Sequence, residues 1–105
     1  MERTSPHVLN LIDTRTALRL SREKFAGLLD VSSRSIGRWE EKGALPEDEQ
    51  TLERLSRIRE IVEFARRVYT PEGCIAFFNM PVATIGNVSP LELLRREEFD
   101  KVESL

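Results

Sequence analysis

With 105 residues, five glycines, five prolines and only short β-branched runs, the chain reads as one all-α domain, or two small helical halves sharing a core. One histidine and one cysteine, with no glycine-rich phosphate loop and no His/Cys ligand spacing, leave nothing from which to assemble a catalytic site, a metal centre or a cofactor pocket, and Cys74 alone excludes an internal disulfide. The net charge is −2, no apolar run approaches the roughly 20 residues of a membrane span, and no signal peptide is legible, a pattern that fits a cytoplasmic protein.

Residues 1–6 are polar and predict a frayed start. From His7 to Leu20, the apolar residues Val8, Leu11, Ile12, Ala17, Leu18 and Leu20 predict a first helix, and His7 beside the loose start reads as a surface residue. Ser21 is a good N-cap for a short helix beginning at Arg22, in which Phe25, Ala26, Leu28 and Leu29 form one apolar face. Asp30-Val31-Ser32 breaks that pattern, and Ser32 or Ser33 can cap a second helix carrying Ile36 and Trp39. Two short helices joined by a three- or four-residue turn form a helix-turn-helix, whose second helix can enter a DNA major groove. Ala26 is small where the helices cross, Val31 plugs the turn, and Ile36 and Trp39 anchor the second helix, with Trp39 expected beneath the first and central helices. Ser33, Arg34, Gly37 and Arg38 are then left on the opposite face. Arginine can bridge guanine O6 and N7, and serine can bond a base or a phosphate. The candidate DNA-binding residues are Ser32, Ser33, Arg34 and Arg38, with Arg22 on phosphate. Through Leu20, Ser21, Phe25, Ala26, Leu28, Leu29, Val31, Ser32, Ile36, Trp39 and Glu40, the segment resembles the Xre-type (Cro/C1-like) helix-turn-helix family, which implies a five-helix bundle. It departs from that family at Asp30, where glycine usually takes a left-handed turn; aspartate tolerates that conformation better than most residues.

Gly43 is a helix stop after Lys42, and Pro46 fits the first position of a new helix, with Glu47, Asp48 and Glu49 at its positive end. Helix-start electrostatics explains this triplet more simply than a metal or catalytic cluster does. The helix is expected to reach about Tyr69, roughly 35 Å away. Its apolar stripe is Leu52, Leu55, Ile58, Ile61, Val62, Ala65, Val68 and Tyr69, with Phe64 off the stripe. Glu53–Arg57, Arg59–Glu63 and Glu63–Arg67 read as i,i+4 pairs on its wet side. A helix apolar over more than half its girth must pack on two things: the helix-turn-helix bundle, and either the C-terminal segment or a second copy. A homodimer follows, with Leu55, Ile58, Val62 and Tyr69, or the C-terminal helix, at its seam.

Thr70 and Pro71 open a short helix through Asn79, which Met80-Pro81 ends. Gly86-Asn87 marks a turn in the loop from Pro81 to Val88, and Ser89-Pro90-Leu91-Glu92 combines a capping box with proline at the first helical position. Leu91, Leu94, Phe99, Val102 and Leu105 make one last amphipathic helix. The chain thus divides into a DNA-binding part (1–46), a central linking helix (47–69) and a C-terminal part (70–105).

The segments from Ile75 to Pro81, Ile85-Gly86, Ser89 to Leu94, and Val102 with Leu105 look like the C-terminal toxin-binding domain of Xre/MbcA/ParS antitoxins, with Phe77-Phe78 in place of the usual Trp-Leu. That resemblance implies the antitoxin of a type II toxin-antitoxin pair. Its N-terminal half would repress the operon at operator DNA, and its C-terminal half would cover the active site of a RES-domain toxin that consumes NAD⁺. On the last helix, Arg95, Arg96 and Lys101 lie among Glu92, Glu97, Glu98, Asp100 and Glu103 around an apolar row ending at Leu105. A terminal element of this kind can enter a partner's cleft, where acidic groups compete with phosphates. The candidate toxin-binding residues are Arg95, Arg96, Glu98, Phe99, Asp100, Val102 and Leu105. The alternative is a stand-alone Xre-type repressor whose C-terminal part is a dimerisation cap. Charge bears on both readings, because residues 1–46 hold eight Lys/Arg against six acids and residues 47–105 eight against twelve. So weak a positive footprint predicts useful DNA affinity only from two or more copies on adjacent half-sites.

Overall fold

From Arg22 onward, every helix but the last opens on a side-chain cap. The computed structural model describes residues 6–105, with side chains from Leu11 onward. Its helices are α1 (Pro6–Ala17), α2 (Arg22–Leu29), α3 (Ser33–Lys42), α4 (Glu49–Val68), α5 (Pro71–Asn79), α6 (Pro90–Arg95) and α7 (Phe99–Glu103). The oxygens of Ser21, Ser32, Asp48, Thr70 and Ser89 each accept the backbone N–H three residues on, satisfying a donor that the helix start would otherwise leave open. The architecture is all-α. Among the described residues the one β-type pairing is an isolated bridge between Val82 and Val88, which closes the loop around a 3₁₀ turn, Ala83–Ile85. Of the start expected to fray, residues 1–5 lie outside the described residues, as do the side chains of His7 and Val8, while Pro6 already belongs to α1.

Four helices end the same way. A residue one or two positions past the helix turns left-handed at Arg19, Asp30, Gly43 and Glu97, and the next N–H reaches back five residues: Leu20 to Arg15, Val31 to Ala26, Ala44 to Trp39, Glu98 to Leu93. This is the Schellman closure, which glycine adopts most readily. Only one of the four positions is glycine. Asp30, at φ 58°, carries the helix-turn-helix through its turn in the conformation expected of it.

The ends of two elements differ from the sequence expectation. The long helix begins at Glu49, not Pro46; Asp48 caps it, accepting from both the N–H (2.9 Å) and the hydroxyl (3.0 Å) of Thr51, while Pro46 is buried ahead of it. Those hydrogen bonds hold the Asp48 carboxyl below its ordinary value, the Thr51 backbone contributing most. The single last helix is in fact two, because Glu97 at φ 62° breaks it between α6 and α7.

Packing is continuous across the three segments. Leu11, Leu18, Phe25, Leu29, Ile36, Trp39, Leu55, Ile58, Val62, Phe78, Leu93, Leu94 and Val102 belong to one buried cluster. The helix-turn-helix packs α3 on α2 and α1, α6 on α2 and α5, and α7 on α4. Leu55, Ile58 and Val62 are therefore consumed within the chain and cannot form a seam with a second copy; of the expected seam on α4, only Tyr69 is exposed. Nor do the three i,i+4 pairs close on α4. Arg57 reaches Asp100 and Glu103 on α7 instead, and Glu63 meets Arg66.

One charged group ties the first three helices together. Glu40, on α3 with its side chain 4 % exposed, accepts Nε of Arg15 at 2.6 Å, Nη2 of Arg15 at 3.1 Å and Nε of Arg22 at 3.0 Å. Arg15 also donates to the Leu20 carbonyl at 3.1 Å, so the end of α1 joins the clamp. Glu40→Ala leaves Arg15 facing the bundle without its anion, and a loss of about 3 kcal/mol is expected in chemical unfolding; an unchanged midpoint would show the clamp to be dispensable. Asp30→Gly relieves the left-handed strain at an exposed position, and the expected gain is about 0.5–1 kcal/mol. A lower melting temperature in that variant would mean that the aspartate side chain contributes more than its backbone costs.

Candidate functional site

The face expected to meet DNA is a shallow groove of about 780 Å³ between the start of α2 and α3, lined by Arg22, Ser33, Arg34, Gly37, Arg38 and Glu41. Ser33, Arg34 and Arg38 are exposed along α3, as the spacing of Ile36 and Trp39 requires. The Arg38 guanidinium leans over the Trp39 ring, 5.9 Å from its centroid, which keeps it close to the helix surface. Ser32 is committed to capping: its oxygen accepts the Ser35 N–H at 3.1 Å and meets the Ser35 hydroxyl at 3.1 Å. Gly37 is on the expected face but beneath Arg22 rather than open. It is buried, and a Cβ there would come within 3.1 Å of Arg22 Nη1. Glycine at this position lets the Arg22 side chain lie across α3 to Glu40, with Glu41 at 3.8 Å. Arg22 is therefore half committed to the fold and only its outer edge faces the groove. Arg34 and Arg38 enter no ion pair among the described residues, which leaves two cations and one hydroxyl (Ser33) to act on a phosphate or a base edge.

The C-terminal candidates divide differently. Arg95 and Arg96 both turn inward along their own helix to Glu92, Arg96 at 3.0 Å. Hydrogen bonding from Arg95, then from Arg96, overcomes the desolvation that opposes it and holds the Glu92 carboxyl down at about 2. The capping box is thus only half formed: Ser89 accepts the Glu92 N–H, but the Glu92 carboxylate serves the two arginines. Glu98 pairs with Lys101 at 2.5 Å. Phe99 is half buried under the Arg57 guanidinium, 5.0 Å from its ring. Asp100 touches the same arginine at 3.3 Å yet is 97 % exposed. Val102 does not belong to an outward surface. It is 4 % exposed, because α7 folds back on α4 and turns that residue into the core. Leu105 remains exposed at the edge of a cleft.

That cleft, of about 480 Å³, runs between the second half of α4, α5 and the last residues, and Phe64, Val68, Tyr69, Phe77 and Leu105 give it its apolar lining. Tyr69 and Phe77 stack at 5.4 Å. Two arginines of α4 have roles that the sequence reading missed. Arg54 donates to the Leu29 carbonyl at the end of α2 (2.9 Å) and to Glu97 at the α6–α7 turn (2.7 Å); Arg57 holds α7. Their four partners lie 25 to 46 residues away, and the only local signal is that the two arginines flank the apolar stripe. Cys74 is buried, and burial pushes its thiol above the ordinary value against the pull of Arg66, which disfavours the nucleophilic thiolate. Among the described residues, no group of three or more His, Cys, Asp and Glu gathers with metal-holding geometry, and no helix is long and apolar enough to cross a membrane.

No family model and no curated protein matches the chain. Among solved structures, it is similar to a chain in the crystal structure of the M. tuberculosis MbcT–MbcA toxin-antitoxin complex, with a TM-score of 0.74 over 93 % of this chain and 87 % of that one, at 19 % identity. At that identity the likeness is one of fold. It spans the helix-turn-helix, the long helix and the C-terminal helices together, so the chain has the fold found in that complex, the architecture implied by its resemblance to Xre/MbcA/ParS antitoxins.

Proposed function

We propose that the protein is the antitoxin of a type II toxin-antitoxin pair, acting in two copies. Its C-terminal helices cover the active site of a RES-type toxin that consumes NAD⁺, and its helix-turn-helix represses its own operon. The observation that carries this reading is the match of almost the whole chain to a fold seen in a toxin-antitoxin complex. The helix-turn-helix groove, where Arg34 and Arg38 enter no ion pair among the described residues, supports the DNA-binding half. At the other end, Asp100 offers an almost fully exposed carboxylate beside half-buried Phe99. A site built to attract the phosphates of NAD⁺ attracts such a carboxylate too. Since Val102 is in the core, the toxin contacts are reassigned to Glu98, Phe99, Asp100 and Leu105, with Arg95 and Arg96 at the rim.

Two experiments separate the halves. Co-expression with the gene next door, followed by copurification, is expected to yield a complex and relief of toxicity. Asp100→Lys should weaken that complex at least about tenfold while leaving the melting temperature near that of the parent. If no neighbouring product copurifies and no toxicity is relieved, the protein is a stand-alone repressor. For DNA, Arg34→Ala is expected to cost about 1–3 kcal/mol at the operator if it makes a bidentate base contact, while Arg22→Ala lowers affinity for all sequences and also loosens the Glu40 clamp. Mobility shifts unchanged by both substitutions would remove α3 as the recognition helix.

A further inference from the structure

A separate cavity, of about 480 Å³, lies at the corner where the last turn of α1 meets the end of α4 and the start of α5. It sits between the helix-turn-helix and the C-terminal part, and small-ligand clefts of roughly 300–1,000 Å³ favour such junctions. Ala17, Cys74 and Ile75 give it an apolar floor, with the Cys74 thiol enclosed and 4.0 Å from the Tyr69 carbonyl. Asp13, Thr16, Arg19 and Arg66 are its exposed polar residues. Arg66 is committed, holding Asp13 at 2.5 Å and Glu63 at 3.4 Å. Arg19 and Thr16 leave one turn of chain, since the Arg19 N–H bonds the Thr16 carbonyl at 3.0 Å. Among the described residues, neither side chain enters a hydrogen bond or an ion pair.

We infer that this corner binds a small organic acid with a flat apolar body, its carboxylate on Arg19 and Thr16 and its body over Ala17 and Ile75, against the Tyr69 ring. The site's charge selects the ligand's sign. Of its lining residues, Arg66 and Asp13 neutralise one another, and Arg19 is the charge that remains. A cation meets no uncommitted carboxylate there, and a neutral ligand leaves Arg19 without a counter-charge. A phosphate ester would gain a single free cation for its two charges and leave the apolar floor uncovered. A carboxylate fits a guanidinium through two parallel hydrogen bonds, and the neighbouring hydroxyl can donate a third. The floor then supplies contact area, as in clefts where a few polar groups orient a largely apolar ligand. Position gives the bound acid a structural consequence. Arg15, one residue before Thr16, runs to Glu40, so the ligand ties the turn that carries this clamp to α4 and α5. The site shares no residue with the α3 groove or with the acids of α7, and it goes beyond the antitoxin reading.

The test is an amide chemical-shift titration of the full chain with three probes of one shape and different charge: indole-3-acetate, indole-3-acetamide and tryptamine. Indole-3-acetate should move the amides of Ala17, Arg19, Cys74 and Ile75 along one saturating curve, with a dissociation constant at or below about 1 mM. The neutral acetamide should bind at least about tenfold more weakly, and tryptamine should not saturate. Arg19→Gln should bring the acetate down to the level of the acetamide, while Ala17→Leu, which fills the floor, should abolish binding of both. Should Ala17→Leu fail to fold, the parent protein still decides. Cys74 is the one cysteine in the chain, and saturating indole-3-acetate should slow its modification by N-ethylmaleimide at least about fivefold. Acetate and acetamide binding alike overturn the choice of an anion. Shifts centred on Arg34 and Arg38, or on Phe64 and Phe77, overturn the site, as does the lack of any saturable shift up to about 10 mM. No toxin or DNA takes part, so the result stands whether or not the antitoxin reading does.

Discussion

The carboxylate of Glu40 is the constraint on which the helix-turn-helix half depends. It is nearly enclosed, it is on α3, and both of its cations come from other elements: Arg15 from the end of α1 and Arg22 from the start of α2. A charge so placed is tolerated only with its partners present, so the three helices are fixed relative to one another or the charge is stranded. The clamp also explains the glycine at position 37. Arg22 crosses α3 at that point, and a Cβ would lie 3.1 Å from its guanidinium. The small residue on α3 is there for the arginine above it, and the open cations further along the face are those the clamp does not use.

Helix α4 plays the corresponding part for the other half. Its buried stripe belongs to the same core as Phe25 and Ile36 on one side and Leu93 and Val102 on the other, so the helix-turn-helix and C-terminal segments share one interior. Arg54 makes that union polar as well as apolar. One guanidinium bonds the carbonyl at the end of α2 and the carboxylate at the α6–α7 turn, and Arg57 next to it grips both acids of α7 and covers Phe99. The C-terminal helices are thereby an integral layer of the bundle, and the surface they offer a partner is their outer edge rather than an entire detachable helix.

The distribution of charge follows from these commitments. Many of the arginines are engaged within the chain, and what faces outward on the helix-turn-helix is a small set of cations flanked by Glu23 and Glu41. A single copy of such a face binds weakly to a polyanion, which makes a paired arrangement the economical way to reach specific affinity. An open apolar strip on α4, lying away from that groove, leaves both surfaces free to work at once.

The sequence by itself determined the helices and most of their starts. Ser21, Ser32, Thr70 and Ser89 cap where their side chains and spacing say they should, Asp30 takes the left-handed turn, and Ile36 with Trp39 turns Arg34 and Arg38 outward. These features are legible because a cap, a turn and a 3.6-residue period are settled by neighbours within about five positions. The tertiary structure decided what those signals leave open. Glu97 breaks the last helix although nothing in its spacing forbids continuation, and the carboxylate then meets Arg54. Val102 turns inward rather than outward, because which side of an amphipathic helix is wet depends on what it packs against. Arg57 passes over Glu53, the i,i+4 acid that sequence offers it, for Asp100 and Glu103. A long flexible side chain chooses the partner that also closes the core, and in this chain those partners are dozens of residues away.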